Sequence, residues 1–231
     1  MKKEESLHRV YGMKLKNLFF HPFFFFNSVE KEDDQASILF SYFTLSVIII
    51  MISSILSINY VMAASKEVPE AYPFGPGIYL IVTFFFGILF SFIVPFILGG
   101  ITHLGVLIVG GSKGFFNTFK PVTYTAMIGL VYGLLSSIVS FIFNLISPFD
   151  PSLLSNPLEM FSRSDIAIRV SLSMMIFFVS LSHQLVTGTI GLSKFQKMSQ
   201  TRAFLSMIII PLLLIVIALI LLGMVLFSLL G

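Results

Sequence analysis

IYLIVTFFFGILFSFIVPFILGGITHLGVLIV, Ile78 to Val109, carries no charged residue. An apolar run of eighteen or more residues reads as a bilayer-crossing helix, because a helix satisfies its own backbone hydrogen bonds in hydrocarbon. This run exceeds the ~20 residues a bilayer needs, so it is expected to tilt, kink at Pro95 or protrude. Working outward, four more runs follow the same pattern: Ser37 to Ile58, Val122 to Ser147, Ile166 to Gly191 and Phe204 to Leu230. The expected fold is all-α, a polytopic bundle of five transmembrane helices. A cytoplasmic tail, residues 1–36, precedes the membrane domain, residues 37–231.

Composition agrees. Of 231 residues 56% are hydrophobic and 11% charged, against roughly 25% charged in a soluble domain. Lipid is therefore the solvent for most of this surface. The chain has no Cys, which removes disulfides, thiol catalysis, haem thiolate and cysteine-based zinc sites. A signal peptide is not expected, since both the polar leader and the first run are too long for one.

The basic residues orient the bundle. The tail holds six Lys or Arg, the connection Gly110 to Lys120 two (Lys113, Lys120), and Leu192 to Ala203 three (Lys194, Lys197, Arg202). The other side holds Lys66, Arg163 and Arg169. The positive-inside rule then puts the N-terminus in the cytoplasm and the C-terminus outside. The five loop cations are candidate contacts for anionic lipid headgroups or a protein partner. Net charge of +3 on these loops concerns insertion and does not point to nucleic acid. Arg169, three residues into its run, is expected to snorkel outward.

In the tail, Leu7, Val10, Tyr11, Leu15, Leu18 and Phe19 share one helical face, with Arg9 and Lys16 opposite. This is an amphipathic helix suited to lying in the interface. Pro22 ends it, and Phe23 to Phe26 are expected to embed beside it.

Small residues recur every four positions: Thr125, Gly129, Gly133 and Ser137, and earlier Gly87, Ser91 and Gly99. Such faces let helix backbones approach within lipid. Packing inside one chain is the favoured reading and homo-oligomerisation the alternative. His103 and His183 lie inside runs at what reads as similar depth, each after a hydroxyl residue. With Tyr124, Gln184 and Thr187 they form a candidate intramembrane polar site. The plainer reading is that neutral imidazoles act as polar glue between helices. No carboxylate lies in any run, and two His fall short of a metal site. No cofactor is expected. There is no phosphate loop with its Lys and Ser/Thr, no His-Glu-x-x-His and no nucleophile–base pair, so the chain is not expected to be an enzyme. A weak echo aligns His103, Ser112-Lys113 and Lys120 with His183, Ser193-Lys194 and Arg202, as in a parallel repeat.

Lys16-Asn17-Leu18-Phe19-Phe20-His21-Pro22-Phe23-Phe24-Phe25-Phe26, the loop Gly110-Gly111-Ser112-Lys113-Gly114-Phe115 with Tyr124 after it, and Lys197 to Pro211 with Arg202-Ala203 together resemble the Yip domain family. These are membrane proteins that interact with Ypt/Rab GTPases. The resemblance covers Leu15 to the C-terminus. It implies five spans, a cytoplasmic N-terminus and a role in membrane organisation or traffic. This chain lacks the longer N-terminal region of eukaryotic members, which argues against a small-GTPase partner and for a prokaryotic cytoplasmic-membrane protein. The expected function is a non-enzymatic adaptor; the alternative is a small transporter or channel built around the histidines.

Overall fold

The computed structural model describes residues 14–30, 35–67, 69–147 and 163–230. Residues 14–20 are helical, followed by α1 (Pro22–Val29), α2 (Gln35–Glu67), α3 (Gly75–Ile108), α4 (Phe116–Ile146), α5 (Ser164–Gln196) and α6 (Gln200–Leu230). A single 3-10 turn, Pro69–Ala71, joins α2 to α3. Among the described residues there is no strand. Helices α2 to α5 are each long and apolar enough to cross a membrane, and Gln200–Leu213 is a shorter apolar stretch of α6. Only 11–22% of the apolar window of each span is buried, so most of the span surface is left for lipid.

Helix ends follow local chemistry rather than the apolar runs. α2 continues past Ile58 through Met62-Ala63-Ala64, good helix formers, and stops just before Val68-Pro69. α3 runs unbroken through the buried Pro95. Its C-terminus closes on Gly110, whose φ of +86° suits only a residue without Cβ. There Gly111 N–H donates to Val106 O at 2.8 Å and Gly110 N–H to Leu107 O at 3.1 Å, a Schellman cap. α5 ends likewise on Lys197, with φ +52° and Met198 N–H donating to Ser193 O at 3.1 Å.

The chain divides into two compact units. Unit 1 comprises residues 1–38, 95–125 and 184–231. Its core joins Val106 of α3, Leu192 of α5 and Ala203 of α6, with Met198 and Met207 packed around them. Backbones meet closely here: a Cβ on Gly105 would lie 1.9 Å from the Ser206 carbonyl oxygen. At Gly191 it is side chains that close in: an added Cβ would lie 2.7 Å from both the Phe26 ring and the Pro121 ring. Unit 2 comprises residues 39–94 and 126–183. In it the atoms nearest to an added Cβ on Gly87 of α3 belong to the side chain of Ile50 of α2, the first at 3.2 Å, and Phe43 meets Phe92 edge to face. α5 is tied to α4 through Arg169, which donates to Asn144 Oδ1 at 2.5 Å and to the Ser147 carbonyl at 2.7 Å.

Three expectations need correction. Phe25 and Phe26 are buried in unit 1, ring against ring with Tyr124 and, for Phe26, Phe195, while Phe23 and Phe24 stay exposed. Pro22 begins α1 rather than merely ending a helix, and α1 turns half of the Phe run inward. Arg169 does not snorkel out, because Asn144 and the Ser147 carbonyl give its guanidinium a polar seat nearer by. Gly133 does not serve packing: among the described residues nothing lies within 4 Å of where its Cβ would be. Of that face, Thr125 is buried, Gly129 half-buried, and Ser137 donates back to the Gly133 carbonyl at 3.1 Å. The expected amphipathic helix before residue 14 lies outside the described residues, as does most of the Pro148–Asn156–Pro157 loop.

Candidate functional site

The loop between α3 and α4 is held by one side chain from the far end of α5. Gln196, 3% exposed, accepts from Lys113 N–H at 3.1 Å through Oε1. Its Nε2 donates to the Gly114 carbonyl at 3.0 Å and to Thr118 Oγ1 at 2.9 Å. The two amide ends have distinct partners, which fixes the orientation of the amide. Thr118 Oγ1 lies 2.9 Å from His103 Nδ1. Having accepted from Gln196, the hydroxyl has its own proton to give, and the simplest assignment hands it to Nδ1. The imidazole also meets the Phe115 ring edge-on at 5.6 Å. His103 is thus an anchor for the start of α4.

His183 is engaged elsewhere. Its Nδ1 lies 3.2 Å from the Tyr132 hydroxyl, and the rings meet edge to face at 5.9 Å. His103 belongs to unit 1 and His183 to unit 2. His103 precedes the end of its helix by five residues and His183 by thirteen, about 8 Å and 20 Å along the axis. The reading of equal depth fails because α5 does not stop at Gly191; Leu192 to Gln196 continue it to the Lys197 cap. The echo fails in register for the same reason. The caps pair Gly110 with Lys197, whereas the histidines would pair two turns away. Tyr124 is buried with its ring against Phe25 at 4.8 Å, and Gln184 is half-buried in unit 1.

The cations of the two loops all lie in unit 1. Lys113, Lys197 and Arg202 are exposed, and Lys194 is half-buried with its ammonium 4.3 Å from the Phe23 ring centroid, a cation–π contact. Lys120, by contrast, is 5% exposed and is removed from the surface that the others present. A lysine opening a helix can point inward, and α4 begins at Phe116, so Lys120 is already in its second turn. Neither loop, residues 110–120 or 192–203, contains an acidic residue.

Sequence reasoning missed Gln196. It sits between Lys194 and Lys197 and passes for one more polar loop residue. A polar amide directly after the buried Phe195 was the available signal, but its partners lie about eighty residues away. Among the described residues no cluster of His, Cys, Asp or Glu could hold a metal.

A family model of the Yip1 domain matches residues 16–222. No curated protein and no solved structure matches the chain.

Proposed function

The chain belongs to the Yip1-domain family of non-enzymatic, multi-pass membrane proteins, and on that premise we propose that it is an adaptor working through the basic loops of unit 1. Lys113, Lys197 and Arg202, with Lys194 beside them, contact anionic headgroups or the acidic surface of a protein partner. The N-terminus and both loops are cytoplasmic and the C-terminus external, in a prokaryotic cytoplasmic membrane. α6, 31 residues long, is the fifth span, since ~46 Å of helix exceeds a bilayer's hydrocarbon thickness. The observation that carries the reading is that Lys113, Lys197 and Arg202 are exposed on loops, residues 110–120 and 192–203, that contain no acidic residue. Each exposed cation near an anionic leaflet contributes ~1 kcal/mol to attraction.

The polar groups inside the helices support the same reading. Each histidine is engaged by a hydroxyl of its own unit, the arrangement expected of polar glue. A photo-crosslinking residue placed at Lys113 or Lys197 in the full chain, in cells, tests the proposal. Discrete protein or anionic-lipid adducts are expected, and they should vanish when the remaining loop cations become Glu. Absence of adducts, together with solute flux in reconstituted vesicles that is lost in His103→Gln or His183→Asn, would replace adaptor with transporter.

A further inference from the structure

Unit 2 contains a half-open cavity of roughly 410 Å³ between α2 and α4, with Arg169 of α5 on its wall. That is within the range of small-molecule sites, about 300–1,000 Å³. Its lining is polar for a region within apolar spans. Ser53 and Ser57 stand one turn apart on α2, and Ser136, Ser140 and Asn144 stand one turn apart on α4. Four-residue spacing puts each set on one helix face.

Serines in apolar helices usually donate to a carbonyl of their own preceding turn. Ser46, Ser91 and Ser206 do so here, each at 2.7 Å. In the cavity, Ser57 does the same. Ser53, Ser136 and Ser140 do not: among the described residues their hydroxyls have no hydrogen-bond partner. Hydroxyls between apolar spans that forgo their own carbonyl are left available to water or to a polar ligand entering the half-open cavity. These three surround one cavity.

The ligand's charge follows from Arg169. Its guanidinium is held on the wall by Asn144 Oδ1 and the Ser147 carbonyl, and lies 5.7 Å from the centroid of Phe143. A positive charge fixed beside hydroxyl donors favours an oxygen anion and repels a cation. A second groove, of roughly 380 Å³, shares Ser140 and Arg169 with the cavity and is otherwise lined by Val170, Ser173, Met174 and Phe177, so it is largely apolar. A polar head site adjoining an apolar groove matches the two ends of a phospholipid.

We propose that the Ser53/Ser136/Ser140/Arg169 cavity binds a phosphate-type oxyanion, with the phosphate of a phospholipid as the source that the adjoining groove favours. The site does not depend on the adaptor reading. Its test uses the full chain in neutral detergent, carrying Lys113→Gln, Lys197→Gln and Arg202→Gln so that unit 1 contributes little to any response. Melting is followed with phosphatidic acid, with diacylglycerol of the same chains, and with sodium phosphate against sodium chloride at equal ionic strength. Phosphatidic acid should raise the melting temperature by about 3 °C or more, as binding to the folded state must, and diacylglycerol should not. A response to inorganic phosphate alone supports the oxyanion site and assigns its source to the free ion. Ser136→Ala/Ser140→Ala removes hydroxyls that hold no protein bond, so the unliganded melt should be unchanged while half-saturation moves at least tenfold higher. Arg169→Gln should abolish the response. A response to neither phosphate, or an equal response in the double-serine variant, overturns the proposal.

Discussion

Units 1 and 2 share α3, α4 and α5 yet use their polar and small residues in opposite ways. In unit 1 two helical glycines are tightly occupied, although Gly100 is open: the Ser206 backbone arrives at Gly105, and the side chains of Phe26 and Pro121 at Gly191. In unit 2 Gly133 faces open space. In unit 1 the inward polar groups close on one another through Gln196, Thr118 and His103, and three cations point out. In unit 2 three serine hydroxyls gather unbonded around a cavity beside a fixed arginine. A small residue marks close packing only where a neighbour arrives opposite it, and a basic residue marks a docking surface only where it is exposed.

The largest expected effect lies at the glycines. Gly105→Leu would drive a side chain into a backbone carbonyl that cannot yield locally. It should lose at least ~3 kcal/mol of stability in detergent unfolding, or fail to fold. Gly133→Leu should stay within ~1 kcal/mol of wild type, and even gain from helix propensity. Equal losses at both positions would erase the distinction between the units. Next comes Gln196→Leu, which leaves Lys113 N–H, the Gly114 carbonyl and Thr118 short of a partner. A loss of about 1–3 kcal/mol is expected. Tyr132→Phe removes one hydroxyl from His183 and should cost ~0.6 kcal/mol, typical of a single bond between membrane helices. If Tyr132→Phe proved the more damaging, the polar centre of the molecule would lie at His183 instead.

The smallest effects sharpen the charge comparison. Single changes Lys113→Gln, Lys197→Gln and Arg202→Gln should each weaken association with anionic vesicles by ~1 kcal/mol and leave melting unchanged. Lys120→Gln should do the reverse, altering melting without altering vesicle association, because its side chain is buried. Titration of vesicle binding beside a melting curve separates the two.

Much of the architecture was legible in the residues. Hydropathy marked five runs, four of which form helices long and apolar enough to cross a membrane, and the loops around Gly110-Gly111 and Arg202-Ala203 pointed to the family that the match over residues 16–222 shows. What stayed hidden was what each face meets. Four-residue spacing put Thr125, Gly129, Gly133 and Ser137 on one side of a helix but could not say which neighbour, if any, lay opposite. The depth of His183 was misread because a left-handed Lys197, not the last apolar residue, ends α5. Gln196 escaped because its three partners belong to a loop far away in sequence. The serine cavity escaped because Ser53 and Ser136 look ordinary until the two helices that carry them stand side by side.

The central claim is that unit 1 offers its exposed cations to the cytoplasmic side. The chain has no native Cys, so single-cysteine variants report position without background. In intact cells an impermeant maleimide should fail to label Ser112→Cys, beside Lys113, and should label it once the membrane is opened. Ser164→Cys, at the start of α5, should be labelled from outside. Labelling of Ser112→Cys in intact cells, with Ser164→Cys protected, would contradict the account.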